Sequence, residues 1–393
     1  MRTSFAKIFL CICAGIISLT ASGQEMASLM FRAGTSSPEI TSESVTFRLR
    51  APKARKVQVQ ASWLGYGSSE GEMTEDRNGV WSVTLPLPSP ELYTYTFIVD
   101  GVSMLDPANV AVQRDGSRYA NVLLIEGDFA SEYKQCPTPG DLEQAWYYSA
   151  ENDMIRRLYV YTPYGYNAND KKTKYPVLYL LHGGGGDEDA WATLGRTCQI
   201  LDNLIAAGKA KPMLCVMPNG NPNQYAAQTL QIPVNPNTKT YASGFDNYSS
   251  LTDDIVPFIE KNYNVIAKKS GRAVAGLSMG GGQSFFIGFR NADKFSSVGI
   301  FSSGLIGSNA IGGEPFDAEA IIPGMLSTPE KFNTFDVIYL SCGEQDERIQ
   351  GMKSFNSALL SKGYKGVVWE QFPGGHEWRV WRRSLSSFVQ KIF

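Results

Sequence analysis

The sequence predicts two successive domains, a small β-sandwich followed by an α/β domain built on a mostly parallel sheet. Apolar residues alternate with period two from about residue 42 to 124, as they do in half-buried strands. From about residue 151, continuous apolar runs alternate with helical patterns, which is typical of a parallel sheet covered on both faces. A chain of 393 residues is also long enough for roughly two or three cores.

The composition excludes several classes of protein. The chain is 43% hydrophobic and contains 20 Phe, 19 Tyr and 7 Trp, which argues against disorder. Its 36 basic and 38 acidic residues leave a net charge of −2, so nucleic acid is not an expected partner. His182 and His376 are the two histidines of the sequence, which makes a multi-histidine metal site improbable. We therefore expect neither a metal nor a cofactor.

The first 23 residues have the pattern of a secretory signal peptide. Arg2 and Lys7 precede an apolar run, and small residues follow at positions 21–23. The run is shorter than the ~20 residues that a membrane-spanning helix needs. We expect cleavage near Gly23 and a secreted or periplasmic protein without membrane association.

Four cysteines remain beyond this segment, and their spacing indicates no metal or redox site. They lack the C-x-x-C spacing of zinc sites and of redox dithiols. An oxidising compartment would permit a disulfide, but the sequence does not identify a pair. The four are Cys136, Cys198, Cys215 and Cys342.

Residues 24–125 predict an immunoglobulin-like sandwich. Its strand candidates are residues 45–49, 57–59, 81–85 and 93–97. The stretch Tyr95–Gly101, followed by Asp106–Asn109, resembles the early-set modules of glycogen-branching and debranching enzymes, which belong to carbohydrate-binding module family 48. This resemblance does not establish that the domain binds sugar, although Trp63 is a candidate glycan platform.

Residues 126–150 contain Pro137, Pro139 and Gly140 and predict a linker and entry to the α/β domain, which we place at 151–393. The predicted strands of that domain are residues 157–161, 177–181, 213–217, 273–276, 298–301, 337–341 and 367–372. Its predicted helices are residues 191–207, 250–264, 281–289, 352–360 and 380–392.

The pentapeptide Gly276–Gly280 fits G-x-S-x-G, the nucleophile elbow of the α/β-hydrolase fold. The segment Gly67–Gly71 fits the same pattern, so the pattern alone is not specific. Ser278 follows the apolar strand Ala273–Ala275 and precedes a helical segment, whereas Ser69 lies in a polar loop. The context therefore selects Ser278 as the nucleophile.

A serine nucleophile needs a base, and the base needs an orienting acid. His376 lies between the last predicted strand and the last predicted helix, where this fold places its histidine. The fold orders its residues as serine, acid and histidine. The acid is therefore expected after the strand at 337–341, where Asp346 is our choice and Glu344 is the rival.

An oxyanion hole is predicted at the glycine run Gly183–Gly186. The run follows a predicted strand and His182, as in the HGGG-type loops of esterases and lipases. We assign one donor to the amide of Gly183 or Gly184 and the other to the amide of Met279. A phosphate-binding loop would need a following Lys-Ser/Thr, which is absent here. His182 is then expected to be structural.

These motifs together resemble carbohydrate esterase family 1, which contains feruloyl esterases, acetyl xylan esterases and relatives such as esterase D. The segments that carry the resemblance are Ile155–Tyr166, Tyr175–Gly183, Gly276–Gly280, Cys342–Asp346 and Gly375–Trp378. The resemblance covers most of residues 145–393. It implies a serine esterase with Ser278, His376 and Asp346 as its triad. The implied substrate is an acylated polysaccharide such as feruloylated or acetylated xylan or arabinoxylan.

Substrate contacts are expected on the long loops above the sheet and beside the motifs. The candidates are Trp191, Asn219, Tyr225, Phe245 and Trp378. The leading hypothesis is a feruloyl esterase, and the alternatives are an acetyl xylan esterase and, with less support, an enterochelin-type siderophore esterase. A non-catalytic alternative is a glycan-binding protein whose hydrolase domain has decayed, which the intact motifs disfavour.

Overall fold

A computed structural model describes residues 36–65, 67–115, 118–221, 248–308 and 314–393. The described chain divides into two compact units. The first comprises the residues up to Ser89 together with Tyr93–Val112 and Ala120–Leu123, and the second comprises Pro90–Leu92, Gln113–Tyr119 and Leu124–Phe393. The expected signal peptide lies outside the described residues.

Nine strands form the N-terminal sheets. They are β1 (Glu39–Ile40), β2 (Ser44–Arg50), β3 (Val57–Ala61), β4 (Thr74–Glu75), β5 (Val80–Pro86), β6 (Glu91–Val99), β7 (Val102–Met104), β8 (Val112–Asp115) and β9 (Arg118–Ile125). One sheet has the order β1-β2-β5-β4 and the other the order β3-β6-β9-β8, with β7 paired to β6. Val45, Phe47 and Leu49 of β2 are buried and alternate with more exposed neighbours. The period-two pattern thus reports the buried face of each strand, and the predicted β-sandwich is confirmed.

The second unit is built on an eight-stranded sheet of order β10-β11-β13-β12-β14-β15-β16-β17. Its strands are β10 (Asp141–Ser149), β11 (Met154–Thr162), β12 (Val177–Leu181), β13 (Leu214–Pro218), β14 (Arg272–Leu277), β15 (Ser297–Phe301), β16 (Val337–Gly343) and β17 (Val367–Phe372). β10 and β11 are antiparallel to their neighbours, and the remaining pairs are parallel. β12, β13, β15 and β16 are buried along their whole length, which explains their unbroken apolar runs.

Seven α-helices are described in this unit. They are α1 (Ala190–Thr193), α2 (Thr197–Ala206), α3 (Val256–Asn262), α4 (Met279–Arg290), α5 (Ala318–Ile321), α6 (Ile349–Ser361) and α7 (Trp378–Val389). A π-helical turn, Leu251–Ile255, precedes α3, and short 3₁₀ turns occupy Asp128–Tyr133, Lys269–Gly271 and Pro329–Lys331. Another 3₁₀ turn, Ser69–Gly71, belongs to the first unit. The predicted fold class, an α/β-hydrolase, is confirmed.

The single helix predicted over residues 191–207 is in fact two helices. Gly195 and Arg196 separate α1 from α2, and Arg196 adopts a left-handed backbone with φ of 53°. A Cβ atom on Gly195 would lie 2.5 Å from the carbonyl oxygen of Trp191, so this turn requires glycine. The apolar periodicity continues through the break, which is why the pattern did not reveal it.

The segment predicted as a linker, residues 126–150, contains a full strand that the sequence did not predict. All nine residues of β10 pair with β11, from Asp141 opposite Thr162 to Ser149 opposite Met154. Pro137, Pro139 and Gly140 indicated a linker, but they end just before the strand begins. One face of β10 is exposed, so the strand lacks the apolar run of its neighbours.

The described part of the chain contains no helix that is both long and apolar enough to cross a bilayer. The four cysteines beyond the N-terminal segment are all described and are free thiols. Cys136, Cys215 and Cys342 are buried and Cys198 is partly buried.

Candidate active site

Ser278 lies in a sharp turn between β14 and α4. Its backbone has φ of 52° and ψ of −114°, a strained conformation for a residue with a side chain. A Cβ atom on Gly276 would lie 2.5 Å from the Gly280 carbonyl group, and one on Gly280 would lie 2.4 Å from the Leu181 carbonyl oxygen. The glycines of G-x-S-x-G are therefore required by close backbone packing, which fixes the strained serine at the sheet edge.

A continuous chain of hydrogen bonds joins the three residues of the predicted triad. His376 Nε2 lies 2.9 Å from Ser278 Oγ, and His376 Nδ1 lies 2.7 Å from Asp346 Oδ2. The carboxylate accepts a hydrogen bond from Nδ1–H, so Nε2 carries no proton and can accept the serine proton. The arrangement has the geometry of a nucleophile, a general base and an orienting acid.

The environment of Asp346 keeps this carboxylate ionised. Burial by itself would raise the pKa, but hydrogen bonds from His376 and from the Arg348 backbone amide outweigh it and lower the pKa of Asp346 to about 2. The Arg348 guanidinium also lies 3.3 Å from Asp346 Oδ1. Glu344, the rival in our prediction, is exposed, whereas Asp346 is buried and contacts the imidazole.

Gln345 connects the loop of the acid to the loop of the histidine. Its backbone amide donates to the Gly374 carbonyl at 2.9 Å, and its side-chain oxygen accepts from the Gly374 amide at 2.6 Å. Gly374 has φ of 130°, which favours glycine. These bonds connect the loops that carry His376 and Asp346, and no motif in the sequence indicates this role of Gln345.

The glycine run after β12 lies beside the nucleophile. A Cβ atom on Gly183 would lie 3.3 Å from the Cβ atom of Ser278, whereas one on Gly184 would meet no heavy atom within 4 Å. Met279 is the first residue of α4, and amides in the first turn of a helix have no partner within the helix. The loop and the helix N-terminus thus converge at Ser278, where backbone N–H groups and the helix dipole favour a developing negative charge.

A buried polar network contacts the glycine loop after β12, which we call the oxyanion loop after its predicted role. The Gly220 amide donates to His182 Nε2 at 2.9 Å, so the proton is on Nδ1, which donates to the Gly183 carbonyl at 2.7 Å. Asn219 Nδ2 donates to Glu188 Oε2 at 3.2 Å, and Arg157 Nε donates to Glu188 Oε1 at 2.9 Å.

His182 is therefore structural in this arrangement, as expected. Asn219 is 1% exposed and its side chain is used within the network, so it presents almost no surface to a substrate. Asn219 and Glu188 support the loop through contacts between residues distant in sequence, which no local motif could have revealed.

The predicted aromatic contacts differ in accessibility. Trp191 is 1% exposed and donates its indole N–H to the Leu181 carbonyl, which places it in the core behind the loop. Trp378 is partly exposed and packs edge-on between Trp191 and Trp381, and the Trp381 ring contacts His376 at a centroid distance of 4.9 Å. Trp378 thus remains the better candidate of the two for a substrate contact.

The other predicted substrate contacts, Tyr225 and Phe245, lie outside the described residues. Ser69, the serine of the second G-x-S-x-G match, is an exposed residue of a 3₁₀ turn with no α-helix behind it. Within the described ranges, no group of three or more histidine, cysteine, aspartate or glutamate side chains is arranged to hold a metal ion.

Comparison with known proteins matches both parts of the chain to protein families. The model of the Esterase family, described as "Putative esterase", matches residues 149–392, and the model of carbohydrate-binding module 48 (isoamylase N-terminal domain) matches residues 34–111. The endo-1,4-beta-xylanase/feruloyl esterase of Xylanibacter ruminicola is 31% identical over 371 residues, or 93% of this chain and 47% of that protein. The chain thus spans about half the length of this curated relative.

Two solved structures are also similar. The CE1 ferulic acid esterase of Anaeromyces mucronatus, in complex with ferulic acid, is 27% identical with a TM-score of 0.55 over 67% of this chain and 95% of that chain. The enterobactin esterase FES of Shigella flexneri has a TM-score of 0.64 over 91% of this chain and 96% of that chain, at 17% identity, which shows a shared fold. Because the esterase model matches well over half of the chain, including the strand–turn–helix that carries Ser278, the chain belongs to the Esterase family, with a carbohydrate-binding-module-48 domain at its N-terminal side.

Proposed function

We propose that this protein is a serine carboxylic-ester hydrolase that removes feruloyl groups from plant cell-wall polysaccharide through an acyl-enzyme. The observation that carries the proposal is the hydrogen-bonded chain from Asp346 through His376 to Ser278, at the turn that begins α4. We propose residues 24–125 as the sandwich and residues 151–393 as the catalytic domain, whose sheet also takes in β10 from the entry segment 126–150.

In the first half-reaction, Ser278 Oγ attacks the ester carbonyl carbon while His376 Nε2 takes the hydroxyl proton. The carbonyl oxygen becomes an oxyanion, which accepts hydrogen bonds from the amide of Gly183 or Gly184 and from the amide of Met279. Asp346 stabilises the imidazolium that forms. Collapse of the intermediate breaks the bond to the sugar oxygen, and His376 returns the proton to that oxygen.

In the second half-reaction, His376 deprotonates a water molecule, which attacks the carbonyl carbon of the acyl-enzyme. The same donors stabilise the second oxyanion, and its collapse releases the carboxylic acid and restores the Ser278 hydroxyl. His376 carries every proton in both steps, so the scheme requires no cofactor.

The feruloyl group is proposed as the acyl group on two grounds. The X. ruminicola relative is named a feruloyl esterase, and the A. mucronatus structure is a ferulic acid esterase with ferulic acid bound. A feruloyl group is planar and apolar, and Trp378 offers a partly exposed ring next to the His376 loop.

The acyl preference is tested by supplying doubly acylated arabinoxylan and measuring ferulate and acetate release together. We expect ferulate to be released with a higher kcat/KM than acetate. Acetate release without ferulate would identify an acetyl xylan esterase with a small acyl pocket. Hydrolysis of a catecholate siderophore ester in preference to both would identify the third alternative, for which the observed similarity is one of fold.

We further propose that the protein is exported and that its leader is cut near Gly23. The support is the order of basic, apolar and small residues at positions 2–23. The intact mass of the exported protein tests this proposal, because cleavage after Gly23 leaves a chain that begins at Gln24. A mass that retains the leader would contradict it.

A further inference from the structure

The hairpin formed by β10 and β11 presents an exposed aromatic face. Trp146 and Tyr148 are two residues apart on β10, so their side chains lie on the same face. The strand register places Arg157 opposite Trp146 and Ile155 opposite Tyr148. Trp146, Tyr148 and Ile155 are 49%, 60% and 67% exposed. We call these three residues the hairpin platform, and an exposed apolar patch of this kind is typical of a binding surface.

The rings of Trp146 and Tyr148 are each held in place by a neighbouring side chain. The Arg157 guanidinium carbon lies 5.9 Å from the centroid of the Trp146 ring, and Arg157 is itself paired with Glu188. The Tyr148 hydroxyl donates to Asp153 Oδ1 at 2.5 Å. Rings that are already oriented lose little conformational entropy when a ligand stacks on them.

The platform lies at the end of the sheet where the parallel strands have their carboxyl ends, which is also the end that carries Ser278. Leu158 of β11 pairs with Pro218, the last residue of β13, so Ile155 lies beyond the carboxyl end of that strand. β13, β12 and β14 are parallel and end at this same edge. Four strand spacings separate β10 from β14 in the sheet order, a distance of about 19 Å. A polymer that occupies both Ser278 and the platform therefore needs to span about 19 Å along this end of the sheet.

We propose that the hairpin platform is a second binding site of the catalytic domain, which holds the neutral β-linked xylose backbone of the acylated polysaccharide. This inference rests on the proposed function for the identity of the polymer. A pyranose ring presents an apolar C–H face that stacks on the negative face of an aromatic ring. Because Arg157 is already paired with Glu188, the charge of the platform does not favour an anionic ligand. Gln144, exposed on the same face, donates from Nε2 to the Tyr159 hydroxyl at 2.7 Å, and its amide oxygen can accept from a sugar hydroxyl group.

The direct test is the binding of unacylated soluble xylan to the full chain in a Ser278→Ala background, measured by affinity electrophoresis. We expect Trp146→Ala and Tyr148→Ala each to weaken binding about fivefold. Tyr164 is equally exposed outside the platform, so Tyr164→Ala is the matched control and should bind like its parent. The proposal is overturned if the parent does not bind xylan, if neither platform variant binds more weakly, or if Tyr164→Ala loses as much affinity.

A second measurement uses the active enzyme. The ratio of kcat/KM for feruloylated arabinoxylan to kcat/KM for methyl ferulate should fall about fivefold in Trp146→Ala and stay unchanged in Tyr164→Ala. An enzyme that hydrolyses neither ester disproves the proposed function, while the binding experiment still decides the platform. If Trp146→Ala instead converts a dimer in solution into a monomer, the face is an interface between two copies, and the proposal is overturned.

Discussion

At the scale of single residues, Asp346 and Glu344 illustrate how position in the fold assigns chemistry. Both carboxylates belong to the loop that follows β16, and they are two residues apart. Asp346 is buried against His376 and has a lowered pKa, whereas Glu344 is exposed to solvent. The local sequence supplies two similar carboxylates, and tertiary packing brings one of them to the imidazole.

We therefore expect Asp346→Asn to lower kcat by roughly 10³–10⁴-fold with little change in KM, because an amide can hold His376 in the wrong tautomer. Glu344→Gln is the matched control and should change kcat within about twofold, as an exposed substitution usually does. Steady-state kinetics on methyl ferulate measure both variants. Equal losses in the two variants would contradict the assignment of the acid.

Glu188→Gln tests the network behind the oxyanion loop. The substitution keeps the shape of the side chain but removes the charge that pairs with Arg157 and accepts from Asn219. A small displacement of this loop would move the backbone amides of the predicted oxyanion hole and weaken their hydrogen bonds to the transition state. We therefore expect kcat to fall about tenfold or more while KM changes little. Affinity for an aryl boronate that mimics the tetrahedral intermediate should fall in parallel. A rise in KM with unchanged kcat would instead make Glu188 a substrate contact.

Sequence motifs pointed to the three residues that the structure joins by hydrogen bonds, but not to the residues that support them. Ser278, His376 and Asp346 belong to short motifs whose chemistry depends on residue type and order, so they could be found before the fold was known. Gln345 and Glu188 act through contacts with segments far away in the sequence, and no local pattern marks such contacts.

At the scale of elements, the packing of α4 against β12 depends on the absence of a side chain at Gly280. Gly280→Ala would place a Cβ atom 2.4 Å from the Leu181 carbonyl oxygen, a backbone atom that cannot rotate away. We expect the free energy of unfolding to fall by about 1–3 kcal/mol. Thermal and denaturant unfolding measure the change.

Gly184→Ala is the control for this stability measurement, because a Cβ atom there would meet no heavy atom within 4 Å. It should unfold at nearly the same denaturant concentration as the parent. If Gly280→Ala were as stable as the parent, α4 could move away from β12 at little cost in free energy, which would contradict this prediction.

Elements buried on both faces were predicted accurately, and elements with an unusual environment were not. β12 was predicted with its observed bounds and β15 to within one residue, because the residue types of these fully buried strands report burial directly. β10 was missed because Asp141, Glu143 and Gln144 interrupt its apolar run. The division between α1 and α2 was missed because it depends on the local conformation of Gly195 and Arg196 rather than on periodicity.

At the scale of the whole molecule, periodicity predicted a sandwich followed by an α/β domain. It did not predict which residues belong to each of the two compact units. Pro90–Leu92 and Gln113–Tyr119 group with the catalytic unit, although they belong to segments that carry strands of the N-terminal sheets. Periodicity assigns a residue to a strand, whereas membership of a unit depends on long-range contacts. Domain bounds read from the sequence alone therefore place such residues only approximately.

The pH dependence of the whole reaction follows from the charges at the site. The pKa of Asp346 lies below its ordinary value of 3.8, so its ionisation stabilises the folded state above that pH, and this contribution is lost as the pH falls through about 2. Asp346 thus keeps its charge between pH 5 and pH 8. The base must be neutral to accept the serine proton, so we expect kcat/KM to fall as the solution is acidified, which a pH–rate profile measures. A rate that does not change with acidification would argue against a histidine base.

The most direct test of the central claim is the rate of ferulate release from methyl ferulate by the parent, Ser278→Ala and Ser69→Ala at equal concentrations of folded protein. Removal of a triad nucleophile costs a factor on the order of 10⁶ in kcat. We expect release by the parent and by Ser69→Ala at the same rate, and no release by Ser278→Ala above background, with all three melting curves alike. Release by Ser278→Ala at the parent's rate, or its loss in Ser69→Ala alone, would contradict the assignment of Ser278 as the nucleophile.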